Sequence, residues 1–176
     1  SMLFLAVAIF GMGLLLGLDT LVSQAYGAGD LEDCHRSLIQ GFYLSLFLAP
    51  LLMAITYGLI AMLGFWGTDP EVVALTRPYA NVVILSLPPL LLYATFRRYL
   101  QAMGLVKPIM VVLVSANLVN ALVNWMLIFG NLGAPALGVV GAGWATLISR
   151  SYMAAGLLII LIHNNYRRKT GLFRTA

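Results

Sequence analysis

The sequence predicts an all-α fold, a polytopic membrane helix bundle with five transmembrane helices, and three observations carry that prediction. First, 61% of the 176 residues are hydrophobic and 9% are charged, against roughly 25% charged in a typical soluble domain. A water-soluble core of this size cannot take up so many apolar side chains, so lipid must act as their solvent. Second, the apolar residues fall into five runs, each long enough for a membrane crossing of about 20 residues, and the runs nearly exhaust the chain. Third, the connections are short and marked by Gly, Asp and Pro, which makes neighbours in sequence antiparallel neighbours in space.

The first span covers residues 2–25 and is interrupted by Asp19. It is too long for the apolar part of a signal peptide, and no basic segment precedes it. The second, residues 38–65, is long enough to cross with tilt, with Pro50 expected to kink it. The third, residues 72–96, contains Pro88 and Pro89, which neighbouring helices tolerate in a membrane. The fourth, residues 108–129, opens on Pro108, a residue suited to a first turn. The fifth covers residues 137–162. The connections start at Gly27-Ala28-Gly29-Asp30, Gly67-Thr68-Asp69-Pro70, Gly104-Leu105-Val106-Lys107 and Gly130-Asn131-Leu132-Gly133-Ala134-Pro135. Asp69 is a candidate N-cap. Gly13 with Gly17, and Gly138, Gly141 and Gly143, read as places of close helix packing.

The basic residues set the orientation. Arg36 follows the first span, Arg97, Arg98 and Lys107 follow the third, and Arg167, Arg168, Lys169 and Arg174 follow the fifth. With alternating spans all of them lie on one side. The opposite connections hold no Lys or Arg, Arg77 lying about two turns into the third span. The positive-inside rule makes that side cytoplasmic, carboxyl tail included, and puts the amino-terminal end outside. An outside start without a targeting signal implies a further helix upstream, so the chain is expected to be a fragment.

The net charge of +4 is no nucleic-acid signature, because the basic residues sit at helix ends without interleaved aromatics. The single cysteine, Cys34, excludes an intramolecular disulfide. With Asp33 and His35 it reads as part of a polar loop, and His35 and His163 read as isolated, solvated groups. No metal-ligand spacing, phosphate-cradling loop or nucleophile motif appears. The expectation is a non-enzyme with no catalytic residue, no metal and no cofactor.

Polar groups inside a membrane are costly and face protein or water. Asn117, Asn120 and Asn124 stand three and four residues apart, on one helix face. Amide oxygens in such a stripe coordinate a cation or a polar ligand group; equally, the amides serve as interhelical glue at about 0.6 kcal/mol apiece. Asp19, followed by Thr20, Ser23 and Gln24, suits proton or cation handling, or pairing with a cytoplasmic arginine. Arg150, four residues after Thr146, needs a carboxylate, carbonyls or water. It reads as a fixed ion pair or as a contact for an anionic substrate or lipid.

Four stretches resemble one family. Gly17-Leu18-Asp19-Thr20-Leu21-Val22-Ser23-Gln24-Ala25-Tyr26-Gly27-Ala28-Gly29 resembles the end of the second helix of the multidrug and toxic compound extrusion (MATE) transporters. Arg98-Tyr99-Leu100-Gln101-Ala102-Met103-Gly104, with Lys107-Pro108, is similar to their loop between helices 4 and 5. Asn117 to Trp125 is similar to helix 5, and Gly138 to Thr146 to the start of helix 6. The matches occur in order and cover essentially the whole chain.

The resemblance implies helices 2 to 6 of the amino-terminal lobe of a twelve-helix transporter built from two six-helix lobes. The first helix and the carboxy-terminal lobe would be missing partners. It implies export of drugs or toxic organic cations across the inner (plasma) membrane in exchange for protons or sodium ions. The family's cation site then falls on Asn120 and Asn124 from helix 5, Thr146 from helix 6 and Tyr79 from helix 4. Asn117 is the candidate for the substrate cavity, and Asp19 and Arg150 are candidates for structural or coupling ion pairs. Some relatives carry Asp where this chain has Asn124, and Ala94 stands at a second helix 4 position that is polar in others. An amide does not titrate, so a coupling proton would have to load elsewhere. Two other readings remain: a lipid-linked sugar flippase of the same superfamily, which would use a more cationic cavity, and a non-transporting membrane scaffold subunit.

Overall fold

The computed structural model describes residues 2–62 and 70–168, and every regular element among them is helical. The order is α1 (Met2–Leu14), α2 (Leu16–Gly27), α3 (Leu31–Ala61), α4 (Pro70–Ile84), α5 (Leu87–Ala102), α6 (Val106–Phe129) and α7 (Val139–Arg168), with a single 3₁₀ turn at Asn131–Gly133. Five stretches are long and apolar enough to cross a membrane: Leu5–Gly27, Leu31–Ala61, Thr76–Ala102, Val106–Phe129 and Val139–Asn165. The first and third are pairs of helices end to end, α1–α2 and α4–α5. Large apolar side chains stand outward, Phe47 at 73% exposure and Leu118 and Phe129 at 69%. Water does not tolerate such a surface and a bilayer requires it, so the chain is a multi-pass membrane protein.

Two connections are as short as helical geometry permits. At the end of α2, Gly29 has φ +76°, Gly29 N–H donates to the Tyr26 carbonyl and Asp30 N–H to the Ala25 carbonyl. At the end of α5, Gly104 has the same φ, Gly104 N–H donates to Gln101 and Leu105 N–H to Leu100. Both are Schellman closures, in which a left-handed glycine turns the chain back over the last carbonyls. Asp30 then starts the next helix, its side chain accepting from Asp33 N–H at 3.0 Å, as an N-cap should.

That cap corrects the sequence reading of this region. Helix α3 begins at Leu31, a full seven residues before the apolar run at 38, so Cys34 and His35 are helical, not in a loop. Both are buried: Cys34 sends its thiol toward the Val22 carbonyl of α2 at 3.7 Å, and His35 lies 6.5 Å from the Tyr99 ring of α5. His163 is exposed, as expected. Helix α3 runs through Pro50 as one element of 31 residues. The third span is divided instead, at Leu85–Ser86, just before Pro88 and Pro89. A proline disfavours helix in the residue before it and removes a donor, so the prolines open a new helix. Spans four and five begin and end within a few residues of the expected bounds, except that α7 continues to Arg168. The expected cap at Asp69, the turn at 67–69, the span end at Phe65 and the charges of Lys169 and Arg174 lie outside the described residues, as do the side chains of Asp19, Arg167 and Arg168.

The core runs between α3, α5 and α7, with α1 and α2 against α3 and α5, and α4 and α6 against α7. Glycines set the closest approaches, though not all of those expected. A Cβ on Gly141 would stand 2.5 Å from the Leu127 carbonyl oxygen of α6, and one on Gly143 would stand 3.3 Å from Val82 of α4. Gly13 and Gly17 have no neighbour within that range. Gly11 against Leu52 and Gly41 against Leu18 take the role at α1–α3 and α2–α3 instead. The reason is rotational: the faces of α1 and α2 that turn inward carry Gly11 and Leu18, not the Gly13–Gly17 pair.

Candidate cation and substrate site

Helix α7 holds the site together because two of its faces meet different neighbours. One face carries Gly141, Ala145 and Ser149, four residues apart, and lies on α6. Gly141 lets the backbones approach, and Ser149 Oγ donates to the Ala116 carbonyl at 3.1 Å. Between them, Asn120 Nδ2 of α6 donates to the Ala145 carbonyl at 3.3 Å. Asn124 Nδ2 donates in turn to Asn120 Oδ1 at 3.0 Å. The result is a chain of amides running from Asn124 through Asn120 to the α7 backbone. It ends on Asn124 Oδ1, to which no described residue donates. Both asparagines are half-buried, whereas Asn117 is exposed and stands outside this chain.

The other face of α7 carries Gly143, Thr146 and Arg150. A Cβ on Gly143 would stand 3.4 Å from Tyr79 of α4. Arg150 Nη1 donates to Ser86 Oγ at 2.5 Å, and Ser86 Oγ donates to the Val83 carbonyl at 2.6 Å. Ser86 is fully buried in the break between α4 and α5. The deep guanidinium therefore fastens α7 to the one place where the third span has lost its regular backbone. Spacing along the sequence gave no sign of this pair, because its members are 64 residues apart.

Thr146, on this second face, donates its hydroxyl to the Ala142 carbonyl at 2.9 Å. That leaves its oxygen lone pairs as acceptors. The structure thus brings Asn120 and Asn124 into direct contact, while Thr146 bonds back to its own helix on the face that carries Arg150. Tyr79 is on the α4 side of α7, and no described hydrogen bond joins it to the asparagines. Asp19 belongs to α2, with its side chain outside the described residues. The groups that do converge are the two amides and the Ala145 backbone oxygen. This is a hard, neutral donor set, suited to a cation such as Na⁺ and unable to bind a proton by itself. No group of three or more His, Cys, Asp or Glu is gathered for a transition metal among the described residues.

Comparison with known proteins agrees with this architecture. Residues 1–126 match the family model described as MatE. The chain is 34% identical over 173 residues to the multidrug resistance protein NorM of Vibrio vulnificus strain YJ016, covering 98% of this chain and 38% of that protein. It is 32% identical over 174 residues to the probable multidrug resistance protein NorM of Synechocystis, again covering 98% and 38%. It therefore spans somewhat over a third of the length of these relatives. Among solved structures, the inward-facing conformation of a multidrug resistance MATE family transporter of the MOP superfamily superposes with a TM-score of 0.79 over 88% of this chain and 34% of that one. At 22% identity that likeness concerns the fold. With the family model matched over most of its length, this chain belongs to the MatE family.

Proposed function

We propose that this chain forms helices 2 to 6 of the amino-terminal lobe of a secondary antiporter that exports drugs or toxic organic cations. In this reading a first helix and a carboxy-terminal lobe complete the transporter. The lobes lie in the inner (plasma) membrane with the ends of α2, α5 and α7 toward the cytoplasm. They rock about a central cavity, opening first inward and then outward. Proteins named for multidrug resistance, similar over 98% of the chain, support the substrate class. One deep cation, Arg150, is less than a lipid-linked sugar flippase would use.

The observation that carries the coupling site is the amide chain from Asn124 through Asn120 to the Ala145 carbonyl. Asn120, Asn124 and Thr146 offer oxygens to a coupling ion, with Tyr79 at the α4 side and Asn117 facing the substrate cavity. The net charge for holding Na⁺, or the acid for carrying H⁺, comes from a carboxylate: one on the first helix, or Asp19. A bound ion drives the cycle only by favouring one lobe arrangement over the other. Here it would do so by drawing the Asn124 and Asn120 oxygens together and changing how α6 sits on α7. Arg150, bonded to Ser86, holds the α4–α5 break while this happens.

The test compares ethidium efflux by wild type and Asn124→Ala in the full-length transporter at equal expression. Efflux is expected to fall by an order of magnitude or more, the scale of one lost ligand contact of about 1.4 kcal/mol, with altered dependence on Na⁺ or H⁺. Unchanged efflux with unchanged ion dependence removes Asn124 from the coupling site. Cysteine at position 124, in a Cys34-free background, should react with a water-soluble thiol reagent; a non-transporting scaffold would keep it closed.

A further inference from the structure

A second polar recess lies away from the asparagine stripe, between α1 and the last turns of α5. It has a volume of about 260 Å³ and is lined by Met12, Tyr93, Ala94, Arg97, Arg98 and Gln101. Tyr93, Arg97 and Gln101 follow one another at intervals of four residues, so they stack on one face of α5. Arg97 Nη1 donates to the Tyr93 hydroxyl at 3.3 Å, and the guanidinium carbon stands 6.0 Å from the centre of the Tyr93 ring. This exposed arginine is thereby directed along the recess. Arg98, half-buried, adds a second guanidinium, and Gln101 adds an amide donor at the rim.

Cations at the carboxyl end of a helix are favoured by its dipole. That accounts for the charge, though not for a recess around it or for the tyrosine that orients Arg97. A guanidinium presents its N–H donors as a fork that fits two oxygens of a phosphate. The Arg97 fork with the Gln101 amide beside it makes a donor set for one phosphate group, and Arg98 adds positive charge at the same recess. Met12 and Ala94 supply an apolar inner wall that suits an acyl or glycerol segment more than a hydrated ion. Gln101 is one residue from the end of α5 at Ala102, so the recess opens near the depth of lipid headgroups on the side that the positive-inside rule makes cytoplasmic.

We propose that this recess binds a phosphate group, carried by an anionic phospholipid of the cytoplasmic leaflet or by a soluble phosphate compound. Basic recesses between transmembrane helices at this depth recognise headgroup phosphate. Arg97 and Gln101 grip the phosphate oxygens, Arg98 adds charge, and Tyr93 keeps Arg97 in place.

The test uses the full-length protein and two arms. In the lipid arm it is extracted from vesicles of equal phosphatidylglycerol and phosphatidylcholine with matched chains, and bound lipid is measured by native mass spectrometry. Wild type is expected to retain phosphatidylglycerol about fivefold over phosphatidylcholine. Arg97→Gln and Gln101→Ala should bring the ratio toward parity, and Arg36→Gln, an exposed arginine on α3, should not. In the soluble arm, protein in phosphatidylcholine nanodiscs is heated with inorganic phosphate or an equal ionic strength of chloride. A phosphate-specific rise in Tm that Arg97→Gln abolishes assigns a soluble ligand, whereas an effect confined to the lipid arm assigns the headgroup. Arg97 is exposed, so Arg97→Gln should fold, and its helical signal and elution volume check this. If folded Arg97→Gln matches wild type in both arms, the phosphate site is refuted.

Discussion

Two spans of this bundle, α4–α5 and α6, look alike as sequences and behave oppositely in the fold. Thr76–Ala102 has a mean hydropathy of 1.5 and Val106–Phe129 one of 1.9, yet 67% of the first window is buried within the chain and 11% of the second. The less apolar span is the buried one. In lipid this is physically reasonable, because acyl chains are as apolar as leucine and hydropathy no longer sorts inside from outside. What draws α4–α5 inward are small and polar groups with specific partners. Ser86 meets Arg150, Thr95 Oγ1 lies 2.7 Å from Ser45 Oγ, and Gly41 lets Leu18 and Thr95 approach α3. Helix α6 has its partners mainly along one stripe, against α7, with a lesser contact to α5. We therefore regard α4–α5 as scaffold and α6 as the open wall that carries the asparagines.

The contrast breaks most severely at the one seam that fixes α6. A side chain on Gly141 meets the Leu127 backbone carbonyl, which cannot swing aside as a side chain would. Gly141→Val should cost about 3 kcal/mol, the upper end for overpacking, and should abolish efflux, because α6 and α7 must separate. Thermal unfolding of the purified transporter reads the first effect and ethidium efflux the second. A variant that unfolds like wild type would mean that α6 is held elsewhere.

The scaffold side should fail next, at Ser86. Ser86→Ala removes an acceptor that the half-buried Arg150 uses and should lower stability by about 2 kcal/mol, the scale of a hydrogen bond to a charged group. The expected pattern is loss of stability with ion dependence unchanged, since Ser86 is no part of the amide chain. Ion dependence altered in Ser86→Ala would merge the two regions into one functional unit. In the opposite direction, Gly13→Ala should stabilise by about 0.5 kcal/mol. Alanine restricts the unfolded chain, and no neighbouring atom obstructs it.

Much of this was legible in the sequence, and the remainder was illegible for definable reasons. Five spans, the short connections among the described residues and the Asn120–Asn124 spacing are local properties of the chain, and each appears in the structure. The start of α3 is not legible from apolarity, because most residues from 31 to 37 are polar. Asp30, an N-cap, extends the helix through polar residues and buries Cys34 and His35. The Gly13–Gly17 spacing says which residues share a face, not which way that face turns, and the close approaches fall at Gly11 and Gly41. Arg150 was singled out as needing a partner, but Ser86 could be found only once α4 and α5 had parted around the prolines. Resemblance groups Tyr79 with the asparagines, whereas in the fold it lies against Gly143, across α7 from them.

The finest test of the division is the asparagine pair itself, for it separates glue from function. Asn120 and Asn124 are linked by one hydrogen bond at 3.0 Å between half-buried amides. Both lie on α6, four residues apart, and side-chain pairs at that spacing within one helix contribute about 0.2–0.5 kcal/mol. A double-mutant cycle on stability with Asn120→Ala and Asn124→Ala should return roughly that small value. Asn117→Ala, on the exposed part of the same helix, should change stability by less than about 0.5 kcal/mol. The same cycle read through ion-dependent efflux should behave differently, with either single substitution removing nearly all coupling and the second adding little. Groups that act as one unit are strongly non-additive in function even when their stability terms are small. If the efflux effects instead add, and each matches its loss of stability, the amides are interhelical glue. The open wall of α6 would then differ from the scaffold in exposure alone.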